Sequence, residues 1–165
     1  MITQLIGDKS HIAVEYYLEN KSVFIGRAKF WIHNAFFGSL DDTIFFDGYL
    51  IGGLVEVLNK DKLNNRYALN KPSEIYHLLD KDREFGDDDL YNLASSYRIN
   101  LGTWTDYFDI YSYRITDNTG VILWRFIGGS DDLKDLENYP LHVFCERINY
   151  DELSNLIERI RMINN

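Results

Sequence analysis

The stretch Glu84–Tyr91, EFGDDDLY, sets three consecutive aspartates between Phe85 and Tyr91. Carboxylates this dense could hold a cation, do acid–base chemistry, stand in solvent, or face a basic partner. A metal needs ligands that converge on one point. Adjacent aspartates diverge, and the run lacks the alternating ligands and central glycine of a calcium loop. The four histidines, His11, His33, His77 and His142, form no HxH or HxxxH pair, and the single cysteine, Cys145, has no CxxC partner. The expectation is a chain with no metal and no cofactor.

Nucleophilic chemistry finds equally little support. There is no GxSxG, and Cys145 lies in the strand-like run LHVFCERI, where a buried free thiol is the simpler reading. A Ser–His–Asp set could still assemble in space, since triads are recognised by geometry rather than order. A pair of carboxylates working as acid and base stays open for the same reason. The glycine pairs at Ile51–Gly53 and Ile127–Gly129 fall short of a phosphate cradle. The chain is therefore read as a binder and not an enzyme. The alternatives are a small cytoplasmic enzyme with a spatially assembled site, or a general protein-interaction adaptor domain.

Charge is the more informative feature. The chain has 165 residues and a formal net charge of −9. That sign disfavours nucleic acid and anionic membrane as partners, because both are gripped by Lys and Arg. Arg27 and Lys29, set among Phe24, Phe30 and Trp31, superficially resemble a basic, aromatic RNA-binding face. In so acidic a chain they fit better as long side chains snorkelling from a sheet. Asp80–Asn92 holds six acids and two bases, and Ser130–Asn138 holds four acids and one base, so the two stretches carry −4 and −3 of the total. Both read as connectors. They are either solvated faces or a surface that steers a basic protein, with Tyr91, Tyr97, Trp104 or Tyr139 as aromatic anchors. The candidate partner-binding residues are Glu84, Phe85, Asp87, Asp88, Asp89, Tyr91, Trp104, Asp131 and Asp132. A second role is open to the DDD run, since carboxylates suit the positive end of a helix.

Periodicity supplies the elements that must position these residues. Ile12, Val14, Tyr16 and Leu18 alternate, as do Phe24, Gly26, Ala28, Phe30 and Ile32, with a polar turn between; this predicts a β-hairpin. Asn34–Asp47 reads as irregular. Ile51, Leu54, Val55 and Leu58 then form one helical stripe, with Asp47 as a candidate N-cap. A short helix follows from Pro72–Ser73. YFDIYSYRI and VILWRFI flank TDNTG as a second hairpin, LHVFCERI is a further strand, and Asn149 caps a final helix. The order β-β-α-α-β-β-β-α predicts one α+β domain over residues 1–165, with an antiparallel sheet of about five strands and helices packed on one face. The N-terminus has no signal-peptide pattern and no run approaches a membrane span, so a cytoplasmic protein is expected.

Three segments carry a family resemblance: LIGDKSHIAVEYYLE, GRAKFWIHNAFFGSLDD and GYLIGGLVEVLN. Ile6, Gly7, Asp8 and Ser10, then Ala13, Glu15 and Tyr16, then Trp31, Ile32 and Gly38 form a pattern similar to the immunity protein 42 family of bacterial polymorphic toxin systems. The similarity is clearest over the first 60 residues, and element order and length agree through the rest. These are strand and turn positions, so no site residue is carried over. The resemblance implies a small cytoplasmic protein, made beside a toxin, that binds and blocks that toxin without a cofactor.

Overall fold

The computed structural model describes residues 1–68 and 70–165. Four strands open the chain: β1 (Gln4–Gly7), β2 (Ile12–Asn20), β3 (Ile25–Ile32) and β4 (Ala35–Phe45), joined as an antiparallel meander. The expected hairpin is β2–β3, with Val14 opposite Phe30 and Tyr16 opposite Ala28. Alternation turns Ile12, Val14, Ala28, Phe30 and Ile32 into the core. The β3–β4 turn is made by His33 and Asn34, both left-handed, with φ of 48° and 66°. That is the twist a tight hairpin requires, and Asn tolerates it well.

Strand β4 corrects the expectation of an irregular Asn34–Asp47. Pairing passes from Ala28↔Ser39 to Gly26↔Ile44, so Leu40–Thr43 bulge away opposite the single residue Arg27. A bulge of this kind shifts the alternation from one face to the other, which hides the strand from a period-2 search.

Strands β5 (Phe108–Arg114), β6 (Thr119–Phe126) and β7 (Phe144–Asn149) form a second antiparallel sheet. The protein is α+β, as expected, but it has two sheets of four and three strands rather than one of about five. Helices do not lie on one face. A π-helical turn, Phe46–Ile51, runs into α1 (Gly52–Leu58). Helix α2 (Asn65–Ala68), α3 (Pro72–Phe85) and α4 (Asp88–Ser95) follow, and α5 (Tyr150–Met162) closes the chain. One core joins the first sheet, α1, α5 and the face of the second sheet bearing Phe108, Ile110, Ile122 and Trp124. A smaller core joins the opposite face, with Tyr111, Tyr113, Val121 and Leu123, to Tyr67, Ile75, Tyr76, Leu79 and Ala94. The second sheet is thus covered on both sides, which explains its long apolar runs.

Two caps were tested by the structure. Asn149 accepts a hydrogen bond from Glu152 N at 3.0 Å, as expected. Asp47 caps nothing: the helical segment already begins at Phe46. Gly53 is where α1 meets the loop before β5, because a Cβ there would stand 2.3 Å from Leu101 Cδ2 and 2.7 Å from Asn100 O.

Candidate partner-binding surface

The first acidic stretch is a helical corner rather than a loop. Helix α3 continues through Phe85, because its polar residues occupy the solvent side while Ile75, Tyr76 and Leu79 face the smaller core. Gly86 lets the chain turn sharply, since a Cβ there would lie 2.4 Å from Asp82 O. Asp87 then caps α4, its carboxylate accepting from Leu90 N at 2.9 Å. Asp88 and Asp89 fill the first turn, where the helix dipole favours negative charge. The DDD run therefore has a structural role that accounts for it in part.

Not all acids here are free. Asp82 is buried and receives Arg66 Nε at 2.7 Å, Arg66 Nη2 at 2.9 Å and the Tyr67 hydroxyl at 2.6 Å. The Arg66 hydrogen bonds, helped by Tyr67, hold its carboxyl below the ordinary value despite burial. Asp80 lies 3.8 Å from Arg83, whose guanidinium also donates to Tyr111 OH at 2.8 Å and sits 3.8 Å from Asp109. These contacts fasten α3 to β5. What remains outward is Glu84, Phe85, Asp87, Asp88, Asp89 and Tyr91, all exposed on one corner, with Phe85 at 76% and Tyr91 at 49%. The structure brings these six together.

The second acidic stretch stands elsewhere. A 3-10 turn, Lys134–Leu136, is pinned to the bulge of β4. Asp135 accepts from Ser39 Oγ at 2.6 Å and Leu40 N at 2.8 Å, pairs with Lys29 at 3.2 Å, and donates its own N–H to Asp41. Burial opposes its ionisation, but these donors outweigh burial and lower its pKa. Asp131 and Asp132 are exposed on the preceding loop. Among the described residues, no hydrogen bond or ion pair joins this loop to the α3–α4 corner, so the two stretches are not one interface by any direct link.

Trp104 is a correction. It lies in a 3-10 turn, Gly102–Asp106, and is wholly buried, with its ring edge-on to Phe37 and in close contact with Gly38. It is core and cannot anchor a partner in this conformation. Tyr97 and Tyr139 are buried as well: Tyr97 OH accepts from Asn64 N and donates to Lys62 O, while Tyr139 OH accepts from Trp124 Nε1 and donates to Phe36 O. Arg27 and Lys29 are engaged within the chain, with Glu19 and Asp135.

The histidines are exposed and dispersed, and among the described residues no three His, Cys, Asp or Glu are placed to hold a metal ion. His33 Nδ1 lies 2.7 Å from Glu146, tying the β3–β4 turn to β7. Cys145 is half-buried, and burial raises its thiol pKa. A surface recess of about 220 Å³ sets His11 beside Glu152 and Arg159.

The fold has a solved counterpart. It is the crystal structure of CdiI from Burkholderia dolosa AUO158, with a TM-score of 0.61 over 96% of this chain and 99% of that one. Sequence identity is 10%, so the likeness is one of fold. No protein-family model matches this chain, and no curated protein sequence does. The resemblance to the immunity protein 42 family accordingly rests on the residues quoted above. Among the described residues, no helix is long and apolar enough to cross a membrane.

Proposed function

We propose that this chain is an immunity protein: it binds a cognate bacterial toxin domain one to one and neutralises it, with no chemistry of its own. The observation that carries the reading is the shared fold, over nearly the whole of both chains, with CdiI, an immunity protein of contact-dependent inhibition. The family assignment within that class is the immunity protein 42 family, supported by the opening segments of the sequence. The compartment is the cytoplasm, where a toxin would meet its target.

Such an inhibitor needs a specific patch of roughly 1,200–2,000 Å² in total and nothing catalytic. The α3–α4 corner supplies two things an interface uses. Its carboxylates steer a basic surface into encounter, and Phe85 and Tyr91 offer apolar area already exposed. Asp131 and Asp132 extend the negative field from a separate loop. A toxin with a basic substrate groove fits this surface.

The test is coexpression with the toxin domain encoded beside this gene. Growth should be restored by the wild-type chain and by variants lacking His11, His33, His77, His142 or Cys145. Failure of the wild-type chain to protect, or loss of protection on replacing a histidine that leaves the fold intact, would refute the reading.

A further inference from the structure

We infer that the exposed face of the π-helical turn Phe46–Ile51 docks a basic segment of the partner protein; the inference rests on the immunity reading and gives it a second contact surface. Three observations meet here. Phe45, the last residue of β4, and Tyr49, in the turn, stand 48% and 45% exposed with ring centroids 6.4 Å apart. The turn's other apolar residues, Phe46, Leu50 and Ile51, are buried, so this pair is what it leaves facing out. Tyr49 is braced from below by Gly102, where a Cβ would come within 2.8 Å of its ring, so the ring is held and not free-swinging. π-Helical turns themselves recur at functional sites.

Gly48 lies between the two rings in sequence and is exposed. A Cβ there would meet nothing within 4 Å, and its φ is not left-handed. Nothing inside the chain asks for glycine, and glycine weakens a helix. Gly53, by contrast, is required by Leu101. A bare backbone beside two exposed rings suits close approach from outside.

Charge selects the occupant. Asp47, in the turn itself, and Asp106, at the end of the neighbouring 3-10 turn, are exposed, and among the described residues their side chains make no hydrogen bond or ion pair. Asp42 is engaged within the chain, accepting from Thr103 Oγ1 and Tyr107 OH. Two π-faces beside the unpaired carboxylates of Asp47 and Asp106 match Lys or Arg side chains, which stack on the rings while their charge meets the acids.

The test measures affinity and association rate for the neighbouring toxin domain with three chains: wild type, Gly48→Gln, and Asp47→Lys/Asp106→Lys. Gln at 48 enters open space and favours helix, so its melting temperature should match or exceed that of the wild type. The expected result is about tenfold weaker binding for Gly48→Gln and about tenfold slower association at low salt for the charge reversal. Wild-type binding by both variants would overturn the inference and leave the immunity reading standing. Wild-type chain that does not bind the toxin domain would overturn both. Self-association of the chain that Gly48→Gln abolishes, with toxin binding unchanged, would assign the face to a second copy and overturn it too.

Discussion

Replacing Asp82 with alanine tests whether the acids of the first stretch divide into structural and free ones. Asp82 is buried, and it serves the Arg66 guanidinium through two hydrogen bonds and the Tyr67 hydroxyl through a third. Tyr67 is fully buried, so truncation leaves its hydroxyl without a partner, a loss of about 1–3 kcal/mol. The Arg66 side chain is solvent-exposed and can rehydrate, so the lost ion pair adds little. The expected loss is therefore that of the stranded hydroxyl, about 1–3 kcal/mol. Urea unfolding should show a lower midpoint with an unchanged slope. Adding Tyr67→Phe removes the stranded hydroxyl, so the double variant should be less destabilised than the two single losses added together. An Asp82→Ala variant within about 0.5 kcal/mol of wild type would refute the assignment and return Asp82 to the surface.

Asp87→Asn, Asp88→Asn and Asp89→Asn together should behave differently: Asn still caps α4, so unfolding changes by about 1 kcal/mol at most, while association with the toxin domain slows at low salt and becomes less salt-dependent. Unchanged kinetics would remove the corner from the interface. Trp104→Ala should cost about 3–5 kcal/mol of stability, as for other large buried rings, and a Trp104→Ala protein as stable as wild type would mean the residue is not core. Acid stability follows from Asp82 and Asp135, both held below the ordinary Asp value of 3.8 in the folded chain. Their contribution is complete above that value and lost as pH falls through their lowered values, so the urea midpoint should drop below pH 3.8 and do so less steeply in Asp82→Asn or Asp135→Asn. Equal slopes in all three proteins would contradict the assignment.

Strict alternation made the β2–β3 hairpin legible, the turn formers of TDNTG between two apolar runs marked β5–β6, and the Asn149 cap was visible from its spacing to Glu152. What escaped had a local cause each time. Strand β1 is only four residues long. Strand β4 changes face at Leu40–Thr43. The split into two sheets depends on which strand edges meet, and no periodicity encodes that. In α3, Asp82 turns inward because Arg66 and Tyr67, sixteen and fifteen residues earlier, wait for it; a charge count cannot see that pairing. Trp104 sits among Gly, Thr and Asp in GTWTD, a polar string that gave no sign of its burial against Phe37. Of the candidate surface, the contiguous corner from Glu84 to Tyr91 was readable because exposure there follows from consecutive polar residues around a turn. The Phe45–Tyr49 pair was not, since an aromatic in sequence looks the same whether buried or exposed.

The most direct test of binding without chemistry is a titration of the toxin's activity by this chain. Neutralisation should rise linearly with added protein and complete at a molar ratio of about one, with a one-to-one complex recovered by mass. Full neutralisation at a small fraction of that ratio, increasing with time of incubation, would show turnover and contradict the account.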